Sequence, residues 1–550
     1  MGSSHVNAPS YLTCVRMRPC LLAFPFIIGV SAGFWPFHTK DDALKSDATS
    51  NVKQIAIIGA GSAGSSTAYY LHKLAQEGGI EVNITVFERS SYIGGRSTTV
   101  NAYDDPAHPV ELGASIFVQV NEILMNATKE FGLELNPLAD EEQHETIGIW
   151  NGEKFVLLET SGGWEWWKTA KMLWKYGMSP IRANNLMKAT VAKFFKLYEP
   201  PFFPFRSLSE RVVELDLISA TGVTGDQLLA SNSVYPPFTT DIIQAFTRVN
   251  YLQNLGVIHG LETMVSMATD GATQVQGGNW QMFDRMLNAS GATVHLDTAV
   301  SSLERNNGRY TLTSKPTNAG WTAVSSEQQF DSVVIASPLQ YSNLKLADGV
   351  VEKTPDEIPY VRLHATLFTT PLKLDGSYFG LKPSDVVPTT VYTTLSPSDD
   401  PTSRTDIVGK AGFFSVSSLR TVTHPKTGQK EFIYKIFSSE AVTKEFLGSL
   451  FGIAPTELEG LPGSPNDAIT WFYPHVWNSY PYEYPRVTFE DIELARGLYY
   501  TAGIESFIST METSALMGKN VAQLLVEDFV EMSGGVKTEQ KDTQKVIEEL

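Results

Sequence analysis

The sequence predicts an α/β fold of two interleaved domains, on three observations. Residues 52–88 read as strand, glycine turn, helix and strand. Residues 140–260 change character, becoming rich in Trp and Phe at helical spacing. Residues 346–484 change again, to a Thr-, Val-, Tyr- and Pro-rich run that suits a mixed sheet. At 550 residues the chain is longer than one hydrophobic core sustains, which supports two domains.

The elements follow in order. Arg16 and Arg18 precede the apolar stretch "CLLAFPFIIGVSAGFW" (20–35), and Val30-Ser31-Ala32 offers a small-residue cleavage site. Sixteen residues containing Pro25 are short for a membrane span, so 1–32 reads as a signal peptide, with a retained anchor as the rival. "DDALKSDATSN" (41–51) is a polar linker. Residues 52–60 form a strand, 62–77 a helix, and the alternating "IEVNITVFE" (80–88) a second strand. Residues 140–260 form a mostly helical insertion. "ATVHLDTAVSSLE" and "GRYTLTS" pair through the Asn307-Gly308 turn, and "FDSVVIASP" (330–338) is a buried strand. "GLYYTAGIES" (497–506) is a strand and turn, 510–530 a last helix, and 535–550 a charged, flexible tail.

Composition excludes several classes. A net charge of −18 argues against a nucleic-acid partner. Both cysteines, Cys14 and Cys20, lie in the N-terminal segment, so the rest of the chain has no disulfide framework, Cys-based metal site or CxxC pair. Redox chemistry would need a bound cofactor. No metal-ligand spacing is present, and no catalytic residue is assigned. Sequons at Asn83, Asn126 and Asn288 agree with secretory-pathway entry, although Asn83 falls in a strand expected to be buried.

Gly59, Gly61 and Gly64 fit G-x-G-x-x-G between a strand and a helix. The first glycine permits the turn, the second lets a diphosphate approach, and the third lets helix and strand pack. The helix N-terminus then faces the phosphates with free N–H groups at Ser62 and Ala63. Glu88, 24 residues after Gly64, can accept both ribose hydroxyls of an adenosine and would repel a 2′-phosphate. Arg89 follows it. Gly94-Gly95-Arg96 supplies a second glycine turn, and "ELGAS" (111–115) another close backbone approach through Gly113, Ala114 and Ser115. This series resembles the FAD oxidoreductases that include amine oxidases and phytoene desaturases. The resemblance implies FAD, with Val300 at the adenine and Gly503, Thr510 and Met511 at the flavin's pyrimidine edge. Ser509 and Glu512 fit a capping box that would open the last helix there. The fold class is thus a Rossmann-type FAD-binding domain (52–140, 260–345 and 485–530) interleaved with a mixed-sheet plus helical substrate domain (141–259 and 346–484).

Further segments narrow the resemblance. "RVNYLQN" (248–254), "VQGGNWQM" (275–282), "WFYPHVWNSYPYEYP" (471–485) and "GLYYTAGIESFISTMETSALMGKNVAQLL" (497–525) resemble the prenylcysteine oxidase (prenylcysteine lyase) family over about residues 52–527. Leu252 stands where that family often has Gly or Ser, and 151–205 matches only loosely. The family implies oxidative cleavage of a prenylated thioether, farnesyl- or geranylgeranylcysteine. Hydride passes to flavin N5, oxygen reoxidises the flavin, and the products are cysteine, an isoprenoid aldehyde and hydrogen peroxide. The expected place is the secretory pathway, in a lysosome or vacuole or secreted, with a peripheral membrane contact as a further expectation. The aromatics of 151–205 are expected to line an apolar tunnel. His259 and His475 read as structural histidines, Asn279 as a turn residue, and Glu505 as either a substrate-ammonium or a backbone contact. Trp164–Trp167 read as core, tunnel wall or membrane contact. An amine oxidase or desaturase on the same fold is the rival enzyme, and a lipid carrier without turnover the rival of another class.

Overall fold

The computed structural model describes residues 52–137, 146–159, 172–318, 324–458 and 467–532. The segment 1–32, the 41–51 linker, Trp164–Trp167 and the 535–550 tail lie outside the described residues.

The first strand, β1 (Lys53–Ile58), runs KQIAII and is fully buried in its second half, as a central parallel strand should be. It pairs in parallel with β2 (Val82–Phe87) on one side and with Ser332–Ile335 on the other. The helix between them, α1 (Ser62–Glu77), completes the βαβ unit. Strands Leu498–Tyr500 and Glu493–Ala495 extend this six-stranded sheet at one edge and Thr293–His295 at the other. Asn83, expected in a buried strand, is exposed at the start of β2; burial begins at Ile84.

The hairpin of Thr298–Asn306 and Arg309–Pro316 turns at Asn307 (φ 52°) and Gly308 (φ 82°), the left-handed pair a two-residue hairpin loop requires. It belongs to a separate four-stranded sheet. A seven-stranded sheet takes five strands between 360 and 481, plus the hairpin Ile147–Trp150 and Phe155–Glu159. That hairpin was not visible in the 140–260 stretch, where helical spacing dominates.

The R-V-N-Y segment joins helices to this large sheet. Arg248 is fully buried at the end of helix Gln244–Tyr251. Its guanidinium donates to Thr393 Oγ1, Asn254 Oδ1 and the carbonyls of Ile407, Val408 and Phe413. No carboxylate among the described residues pairs with it, so five acceptors stabilise the buried charge instead. Replacing Arg248 with Ala strands those acceptors. We expect R248A to lose about 3 to 5 kcal/mol of stability in denaturant unfolding; a loss under about 1 kcal/mol would show that the bonds contribute little.

Candidate active site

The glycine turn is built by close packing. Gly59 (φ 113°) would place a Cβ 2.8 Å from the Ala336 carbonyl oxygen, and Gly64 would place one 1.9 Å from Gly59 O. Gly64 therefore serves the helix–strand contact and does not line the cavity described below. Gly61 is different. Its φ of −79° suits any residue, and an added Cβ would meet no protein atom closer than Gly94 O at 4.0 Å. Only space outside the protein gains from its missing side chain. No side chain caps α1, so its first N–H groups stay free at that space.

Glu88 closes the turn from below. It is buried, with Oε2 accepting the Ala60 N–H at 2.9 Å and Oε1 the Ser90 N–H at 2.8 Å. Each oxygen keeps a further lone pair.

These residues open on a cavity of about 1680 Å³. That exceeds the roughly 300–1,000 Å³ of an ordinary small-molecule site, and suits a large cofactor with a second ligand. Of the sequence-predicted cofactor residues, Gly59, Gly61, Ser62, Ala63, Glu88, Arg89, Gly95, Arg96, Gly113, Ala114, Ser115, Val300, Thr510 and Met511 line it. Gly503 does not. It sits in the turn Ala502–Ser506, where an added Cβ would meet Glu490 at 2.8 Å, so its role is packing.

Other expectations change. Ser509 and Glu512 form no capping box. Thr510 and Thr513 cap the last helix (Met511–Met532) instead, one residue on, each hydroxyl accepting the other's backbone N–H at 3.1 Å. Glu512 reaches across to accept Ile123 and Leu124 N–H at 2.9 and 3.0 Å, at the start of helix Glu122–Glu130. Burial raises its carboxyl to about 7. Glu505 neither bonds backbone nor stands free for a substrate ammonium: Arg96 donates to it at 2.6 Å and Tyr360 at 2.9 Å.

His259 is fully buried. Its Nδ1 accepts Glu262 N–H at 3.1 Å, capping helix Gly260–Met267. Burial, with Arg486 adding, pulls its imidazole down to about 3, so it is neutral and structural. His475 lines the cavity with its ring 4.2 Å from that of Trp477. Asn279 fixes a turn: its backbone N–H donates to Glu111 Oε1 at 2.6 Å, its Oδ1 accepts Val275 N–H at 2.8 Å, and its Nδ2 donates to Ala114 O at 3.1 Å.

Among the described residues of 151–205, none lines the cavity. Described aromatics there, such as Phe194, Tyr198 and Phe205, pack in the core. The wall comes from Phe246, Val249, Tyr251 and Val265 on two helices, and from Leu363, Tyr392, Phe437 and Trp477 on the seven-stranded sheet. Sequence reasoning also missed Lys435, a buried lysine in that wall. The signal was present: in "EFIYKIF" it is the one cation of a strand interior with one buried acid, Glu431, and otherwise apolar.

The fold and this cavity define a flavoprotein oxidoreductase. Among solved structures, a putrescine oxidase variant matches with a TM-score of 0.54 at 13% identity, covering 86% of this chain and 99% of that one. A conjugated-linoleic-acid-producing fatty acid isomerase from P. acnes matches at 0.52 and 14%, covering 87% and 99%. A model of the NAD(P)-binding Rossmann-like domain matches residues 57–131. The prenylcysteine lyase family model matches residues 159–538, and the chain belongs to that family. Farnesylcysteine lyase of Arabidopsis thaliana is 28% identical over 86% of this chain and 88% of its own length. Prenylcysteine oxidase 1 of Bos taurus is 29% identical and that of Rattus norvegicus 27%, with the same coverage. The cofactor is FAD, and the residues fit it: a glycine cradle that a Cβ would fill, uncapped helix N–H groups for the diphosphate, and a buried carboxylate.

Gly61→Val separates binding from folding. It should leave unfolding unchanged while weakening FAD binding at least about tenfold, a 1.4 kcal/mol effect; unchanged flavin content in the purified protein would misplace the diphosphate. Glu88→Ala removes hydrogen bonds to a charged group, worth about 1.5 to 3 kcal/mol, so FAD should bind roughly 10- to 150-fold more weakly by flavin fluorescence.

Proposed function

We propose that this chain is a prenylcysteine oxidase, cleaving the thioether of farnesyl- or geranylgeranylcysteine with oxygen as acceptor. One observation carries the reading. The cavity that begins at the glycine turn continues without a break into a wall of Phe246, Val249, Leu363, Phe437 and Trp477. A prenyl tail of 15–20 carbons suits such a wall, since burying each CH₂ contributes about 0.8 kcal/mol.

Bound there, FAD would supply the two-electron oxidation of the carbon next to sulfur. Gly61, Ser62 and Ala63 would hold its diphosphate, Glu88 the ribose, and Gly113–Ser115 and Thr510–Met511 the flavin end. The apolar wall would orient the allylic carbon and limit water at the reaction. Overall, thioether, oxygen and water give aldehyde, thiol and hydrogen peroxide, which balances. The apolar N-terminal segment supports entry into the secretory pathway.

The test is aldehyde detection by mass spectrometry with S-prenyl compounds, beside a peroxide assay with amines. S-farnesylcysteine should give aldehyde and peroxide in equal amounts. Peroxide from amines alone would overturn the reading in favour of an amine oxidase.

A further inference from the structure

The strand Lys430–Ser438 runs through the middle of the large sheet, and Lys435 is its one buried cation. Its Nζ donates to Glu111 O at 2.9 Å and to Ser115 Oγ at 2.8 Å. Ser115 Oγ spends its own proton on Gly113 O at 2.8 Å, so it must accept from Nζ. Two N–H bonds of Lys435 are thus committed in either protonation state. The remaining position has no hydrogen-bond partner among the described residues; Nζ lies 4.8 Å from the centre of the Phe437 ring. Lys435, Glu111, Ser115 and Phe437 all line the cavity. No carboxylate among the described residues lies within ion-pair distance of Nζ. Glu111 Oε1 is taken by the Asn279 N–H, and its Oε2 is buried without a partner.

We propose that Lys435 is a catalytic residue, the base for the water that cleaves the oxidised thioether, and then the acid for the departing sulfur. The proposal rests on the prenylcysteine reading. Once the carbon next to sulfur has lost hydride, water adds to it. The C–O bond forms and Nζ, as neutral amine, takes the water proton. The hemithioacetal then collapses: its hydroxyl proton passes to water, C=O forms, C–S breaks, and the thiolate takes the proton back from Nζ; the proton left in water is the one that peroxide formation takes up. The residue returns to its starting state, and no further oxidant enters.

Electrostatics agree with the geometry. Burial pulls the Lys435 amine below the ordinary lysine range, with the Glu111 charge opposing. Its cross-strand neighbours are Leu367 on one side and Ser417 on the other, neither of which titrates. Glu111 is the charged group that acts on its proton. The hydrolytic step should therefore quicken as pH rises through the amine's value, since the neutral form is the competent one.

The test separates oxidation from hydrolysis. Holoenzyme is mixed anaerobically with S-farnesylcysteine, and flavin bleaching is followed beside quenched-flow aldehyde release. In Lys435→Gln, bleaching should stay within about threefold while aldehyde release falls roughly 10²- to 10⁴-fold and loses its rise with pH. Small primary amines should restore release. Should bleaching slow as much as release, Lys435 acts in binding or oxidation and the proposal fails with the reading intact. If the wild-type protein is not bleached by any S-prenyl thioether, the reading itself fails. A second readout needs no variant and no turnover: pH-dependent acetylation of Lys435, followed by peptide mass spectrometry. Half-labelling well below the ordinary value of about 10.4 supports the proposal. Labelling at the ordinary value, or none at all, overturns it, because the nitrogen would then be unperturbed or turned away from the cavity.

Discussion

Glu88 sits at the point on which the rest depends. One oxygen holds the Ala60 N–H inside the glycine turn and the other holds Ser90, just past the end of β2. The carboxylate thereby fixes the distance between the turn after β1 and the chain after β2, and that gap is where the cavity begins. Burying a carboxylate is costly unless it is hydrogen-bonded. Here the bonds that hold the turn also satisfy the carboxylate at the cavity wall. Gly64 packing on Gly59 sets the helix at the same spot, so its uncapped N–H groups open onto the cavity.

The other half of the cavity depends on long-range contacts. Arg248 fastens helix Gln244–Tyr251 to the 407–413 loop of the large sheet. The same helix presents Phe246, Val249 and Tyr251 to the cavity, while the sheet presents Leu363, Lys435 and Phe437. Asn279 ties the G-G-N turn to the 111–114 stretch, against which Lys435 is bonded. A polar seam of a few residues therefore joins the nucleotide half to the apolar half.

What the sequence revealed was local. The glycine turn, the following helix and the Asn307-Gly308 hairpin are each specified by neighbouring residues, and each forms as expected. What it concealed depended on pairing across hundreds of residues. The apolar wall was expected from an aromatic-rich stretch because aromatics draw attention wherever they lie. In the structure Phe194 and Tyr198 fill core, and among the described residues the apolar wall comes from positions between 246 and 477. The helix cap slipped by one residue because Ser509 and Thr510 both suit an N-cap, and Glu512 was taken by a second helix. Gly503 looked like a ligand glycine by position and is a packing glycine by contact.

The proposed reaction needs one space shared by two ligands, the flavin and an isoprenoid. The most direct test is to titrate FAD-loaded protein with a prenyl compound that cannot react, such as farnesol, and to record the flavin absorption spectrum alongside calorimetric binding. A saturable spectral shift with the same dissociation constant as the heat is expected. Calorimetric binding that leaves the flavin spectrum untouched would place the isoprenoid elsewhere and contradict it.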